Sequence, residues 1–139
     1  MRKKALLFLS LACMMASIAL MALPFSAVLR FAEGPDKGIF RSYSYFSPII
    51  WGYGNGFAFL TAALSIVSLL ILLWIAASRK DSPKRERVAE ICSGACVITS
   101  VLSLPLLGRI GIINIAICVL LAAAVAMLSF YSESRKRSR

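Results

Sequence analysis

Four apolar runs, each bounded by charge, constrain this chain more than any other feature. Phe57 to Ala77 passes without one Asp, Glu, Lys or Arg, and so do Ala5 to Leu23, Ile91 to Leu107 and Ile110 to about Tyr131. A helix needs about 20 apolar residues to cross the roughly 30 Å hydrocarbon core of a bilayer. Apolar residues make up 60% of the 139, with mean hydropathy +0.83. Soluble domains stay nearer half. The expected fold class is therefore an all-α membrane protein, with four transmembrane helices in a bundle.

The four runs are not equally strong. On an insertion scale of roughly −0.3 to −0.6 kcal/mol per Leu, Ile, Val or Phe, the second supplies about −4 to −7 kcal/mol and the third only about −2 to −5. Ser93, Gly94, Thr99, Ser100, Ser103 and Pro105 weaken the third further. Such a span is expected to sit against its neighbours instead of out in lipid. The reading is a single membrane domain over residues 1–139, with helices at about 5–27, 57–78, 88–107 and 110–131. An outer loop is expected at about 28–56 and a cytoplasmic loop at about 79–87.

Charge supplies the orientation. Of 16 Lys and Arg, twelve lie before the first span, between the second and third, or after the fourth; Arg30, Lys37, Arg41 and Arg109 occupy the other two loops. Cytoplasmic segments carry the Lys/Arg excess, so both termini and the middle loop are expected inside a plasma membrane. Each such cation is worth roughly 1 kcal/mol at an anionic leaflet. The net charge of +10 thus reads as attraction to an anionic inner leaflet and not to nucleic acid.

The N-terminal stretch MRKKALLFLSLACMMASIALMALPFSA has the basic start and apolar centre of a secretory signal. Its apolar run exceeds the usual 7 to 15 residues of such a signal, and Phe25 is too bulky for the −3 position before a cut at Ala27. A retained first helix is expected. SLAC at Ser10 to Cys13 is set aside as a lipidation box, because the apolar stretch continues well beyond Cys13.

Chemistry is sparse. The chain has no histidine, and its six acids, Glu33, Asp36, Asp81, Glu86, Glu90 and Glu133, lie toward the ends of the runs or between them. A proton relay needs an ionisable group inside the bilayer, so a proton-coupled exporter is not expected. Cys92 and Cys96 share a helical face at i, i+4, but two thiols without histidine are an incomplete ligand set. No catalytic residue, cofactor or metal is expected, and no enzyme.

Small and weakly polar residues form stripes on all four runs: Ser10, Cys13, Ser17; Thr61, Ser65, Ser68; Cys92, Cys96, Thr99, Ser103; and Asn114, Cys118, Ala122, Ala126. Such faces let helix backbones approach and hydrogen-bond across the contact. ACMMASIAL can be laid over ACVITSVLS, but the prolines that follow are out of register by two, and no internal repeat is claimed.

The outer loop is long and aromatic. FRSYSYF alternates, placing Phe40, Ser42, Ser44 and Phe46 on one side and Arg41, Tyr43 and Tyr45 on the other. With turn chemistry in EGPDKG, a hairpin-like extracellular flap is expected: strands near Val28–Ala32 and Ile39–Phe46, and a turn at Gly34–Lys37. Trp and Tyr concentrate at membrane interfaces, which accounts for Trp51, Tyr53 and Phe57 beside the second span. Tyr43 and Tyr45 are farther from any span.

Tyr43, Tyr45, Phe46 and Trp51 are therefore the expected partner-contact residues. The expected function is that of a small non-enzymatic association or accessory protein, bound to another membrane or envelope protein or to further copies of itself. The alternative is a transport or channel subunit with a path along the small polar faces, in which Asn114 is the most polar residue.

Overall fold

A computed structural model of the chain describes residues 2–32, 38–47, 56–78, 83–107 and 110–136. The elements are α1 (Arg2–Ala22), β1 (Ala27–Ala32), β2 (Gly38–Tyr43), α2 (Gly56–Ala77), α3 (Pro83–Ser103) and α4 (Ile112–Lys136). A single 3-10 turn, Leu104–Leu106, follows α3. Each of the four helices contains a segment long and apolar enough to span a membrane. The expected fold class holds: a four-helix bundle with a two-stranded antiparallel sheet between α1 and α2.

The helices form a ring. α1 packs most extensively on α4 and α2 on α3, with α3–α4 and α1–α2 contacts closing the circle. Short-range connectivity alone would favour α1–α2 and α3–α4. Instead the flap occupies the α1–α2 connection and the chain ends meet through α1 and α4.

The bundle is inside out relative to a soluble protein. Ser10, Ser17, Thr61, Ser65, Ser68 and Ser100 are all fully buried, while Phe8, Leu70, Ile91, Ile98, Val119 and Phe130 are each at least 60% exposed. In water that arrangement would forfeit about 25 cal/mol for every Å² of apolar surface left outside. In hydrocarbon it costs nothing, because lipid tails are as apolar as Leu and helices associate through small residues and polar contacts. The chain is a multi-pass membrane protein.

Each helix buries one line at alternating steps of three and four residues. On α3 the line is Glu86, Ala89, Ser93, Cys96, Ser100 and Ser103; on α4 it is Asn114, Ile117, Leu121, Ala124, Leu128 and Tyr131. A mean step of 3.5 keeps a stripe on one neighbour along a left-handed bundle. The expected α4 stripe at successive i+4 steps does not. Four residues turn a helix about 40° past a full turn, so Ala122 and Ala126 drift out and are exposed. Below Asn114 and Cys118 the inner line of α4 is apolar, which corrects the expectation of a small polar face along every span.

Several boundaries move for local reasons. α1 stops at Ala22 and not near residue 27, because Pro24 disfavours helical geometry at Leu23. The chain then turns through bonds from Leu23 N to Leu20 O (3.3 Å) and Ser26 N to Leu23 O (3.1 Å). α3 begins at Pro83 and not near residue 88. Pro suits the first helical turn, where its missing N–H leaves no orphan. Much of the expected cytoplasmic loop is therefore helix, with Arg85 stacked 4.4 Å from the Trp74 ring and donating to Ser78 Oγ at 3.2 Å.

Candidate functional site

The flap follows from its alternation. β1 and β2 pair in the register Ala27↔Tyr43, Val28↔Ser42, Leu29↔Arg41, Arg30↔Phe40. Paired residues share a face of a sheet. Ala27 and Leu29 are buried and Tyr43 half-buried, so the face they share with Arg41 turns toward the bundle. Phe40 and Ser42, on the opposite face, are exposed. The expected turn at Gly34–Lys37 lies outside the described residues, as does Trp51.

β2 ends at Tyr43, three residues before the expected Phe46. Ser44 and Ser47 close a turn, with Ser47 N donating to Ser44 O and Ser44 N to Ser47 Oγ, each at 3.1 Å. This turn breaks the alternation and drives Tyr45 into the bundle.

Tyr45 is 1% exposed, the largest of the fully buried side chains. Its backbone N–H is shared between Met21 O at 3.1 Å and Ser26 Oγ at 3.3 Å, and Ser26 Oγ itself donates to Met21 O at 2.9 Å. The open C-terminal end of α1 is thereby satisfied by the flap. The Tyr45 ring joins the core, and its phenol lies near the Ser103 hydroxyl. Burial pushes the Tyr45 phenol up from its ordinary value, with Ser103 acting against the rise and Cys118 adding to it.

The expected contact set is thus divided. Tyr45 offers no free face and belongs to packing, because the chain reverses at Ser44. Tyr43 and Phe46 are half-buried against the core cluster. Phe40, 56% exposed, is the described aromatic residue that the flap presents outward, although it was not among the expected contacts. The signal for it was present in the alternation of FRSYSYF; missing was the knowledge of which face meets the bundle.

Beneath Tyr45 the polar faces of α2, α3 and α4 meet. Thr99 Oγ1 lies 3.0 Å from Ala95 O and 3.1 Å from Cys96 O as a donor, leaving its oxygen to accept from Thr61 Oγ1 at 2.9 Å. Ser100 Oγ and Cys118 Sγ are 3.1 Å apart, and Ser68 Oγ and Cys96 Sγ 3.7 Å. On the other side of the bundle Ser10 Oγ donates to Ala124 O at 2.9 Å. Thr61–Thr99, Ser100–Cys118 and Ser68–Cys96 close the seam side chain to side chain. Three buried polar atoms among the described residues have no hydrogen-bond partner: Tyr45 Oη, Asn114 Nδ2 and Ser93 Oγ.

Neither a protein-family model, nor a curated protein, nor a solved structure matches this chain.

Proposed function

We propose that this protein is a non-enzymatic association protein of the plasma membrane, with both termini cytoplasmic and the flap outside, where it contacts another membrane or envelope protein. The observation that carries the reading is the construction of the flap. Two strands alone are marginal in water, and here one face is fastened to the bundle by Tyr45 and Ser26. The opposite face holds Phe40 and Ser42 exposed, and Arg41, also exposed, is next to Phe40 along the strand. An anchored aromatic flanked by an arginine is the composition of a protein contact, since both residue types are enriched at interface centres. Tyr43, Phe46 and Trp51 border it in sequence.

The cross-linked seam supports packing over transport: Thr61–Thr99 and Ser68–Cys96 pair with each other instead of lining an open path. The test is photo-crosslinking in native membranes from position 42, with Leu70, a lipid-facing position, as control. One adduct of defined mass from the flap, lost on Phe40→Ala, is expected. Adducts with lipid alone, indistinguishable from those at position 70, would overturn the reading.

A further inference from the structure

The outer end of the bundle gathers five uncharged polar side chains from three parts of the chain. Tyr45 enters from the flap, Ser100 and Ser103 from the last turns of α3, and Asn114 and Cys118 from the first turns of α4. Ser100 pairs with Cys118 at 3.1 Å, and Ser103 Oγ donates to Ser100 O at 2.7 Å. Two groups stay over. Tyr45 Oη and Asn114 Nδ2 are orphaned on residues only 1% and 3% exposed. They come to one level of the bundle: Ser100 meets Cys118, Ser103 on α3 and Asn114 on α4 each stand one helical turn from that pair toward the flap, and the Tyr45 phenol is near Ser103.

Leaving a buried donor unmade costs about 1 to 3 kcal/mol, and in a hydrocarbon surround no solvent relieves it. Chains that tolerate two such groups at one place commonly bridge them through a small guest making two to four hydrogen bonds. Nothing charged faces this cluster among its five members, and an ion there would be left uncompensated. The third orphan, Ser93 Oγ, is ten residues earlier on α3, about 15 Å along the axis, and belongs to another level.

We propose that Tyr45, Ser103, Asn114 and Cys118 together form a binding site for a small, uncharged hydrogen-bonding guest, of which water is the smallest. The amide of Asn114 donates to it and the phenol of Tyr45 closes it from the outside. The flap is then the roof of an internal site as well as a contact surface. Thr61–Thr99 and Ser68–Cys96 close the seam below, so the guest is held and not passed on.

The sign of a stability change tests this in the full chain in nanodiscs. Removing an orphaned hydroxyl from a dry core is neutral or stabilising, whereas removing one that holds a guest is destabilising. Tyr45→Phe is therefore expected to lower Tm at neutral pH. Hydroxyl-radical footprinting by brief X-ray pulses supplies the second reading, because radicals form from bound water where it sits. Oxidation of Tyr45 is expected despite its burial, with the equally buried Met14 as the dark control, and Asn114→Leu should abolish it. If urea or glycerol added at molar concentration suppresses the oxidation, the site takes small amides or alcohols in place of water; if they leave it, water is the resident. Tyr45 oxidised no more than Met14, or Tyr45→Phe melting at or above the parent, overturns the proposal.

Discussion

Tyr45 shows how one side chain joins two parts of a small membrane protein. Its backbone amide caps the end of α1 through Met21 and Ser26, and its ring joins the core at the flap end of the bundle. Burial raises the phenol above its ordinary value of 10.0, and the consequence for stability has a definite sign. The folded state prefers the neutral phenol. At pH above 10 the unfolded chain releases this proton while the folded chain keeps it, so the unfolded state binds fewer protons and stability falls as pH rises. The contribution is whole below pH 10 and is lost as pH climbs toward the folded value. Thermal melts of the protein in nanodiscs between pH 9 and 11 should show a decline in Tm that Tyr45→Phe makes shallower. A decline of equal slope in both proteins would show that other groups carry it.

At the scale of elements, what holds the helices together is a few polar contacts set in close packing. Thr61 and Thr99 join α2 to α3 at 2.9 Å, both fully or nearly buried. Hydrogen bonds between membrane helices average about 0.6 kcal/mol in double-mutant cycles and reach about 1.7. Thr61→Val, Thr99→Val and the double variant should give a coupling free energy in that range, measured by steric-trap or denaturant unfolding. Zero coupling would assign the pair to shape alone. Valine keeps the shape of threonine but deletes the hydroxyl, which isolates the bond from the packing. The stripes on α1, α2 and α3 were legible in the sequence because Ser, Thr and Cys stand out against Leu and Ile at helical spacing. On α4 the same reasoning failed. Alanine carries no polar mark, so a run of i+4 alanines looked like an inner face while the 3.5 period carried the seam through Ile117, Leu121 and Leu128. The flap strands were legible from alternation and turn residues. Their inner and outer faces were not, because that assignment depends on the Ser44–Ser47 turn and on the helix ends below it.

For the whole molecule, the charges carry the proposed orientation. Twelve of 16 Lys and Arg lie on the side of the termini and of the α2–α3 connection, and four on the side of the flap. At roughly 1 kcal/mol per cation near an anionic leaflet, the difference of eight favours the terminal side facing the cytoplasm by about 8 kcal/mol before any screening. Among the twelve, Lys84 and Arg87 stand exposed at the start of α3. Single cysteines read this directly. Ser42→Cys, exposed on the flap, is expected to react with a membrane-impermeant maleimide in intact cells, and Ser138→Cys in the terminal tail only after permeabilisation. The parent sets the background, since its own cysteines lie within α1, α3 and α4, with Cys96 fully buried and the other three half-buried. Replacing Lys84, Arg87, Arg135 and Lys136 together with glutamine should move a measurable share of Ser42→Cys to the protected side. Reversed accessibility in the otherwise unaltered chain would overturn the inside placement of the termini. It would also move the Phe40 face, and the partner proposed for it, to the cytoplasm, with the bundle unchanged.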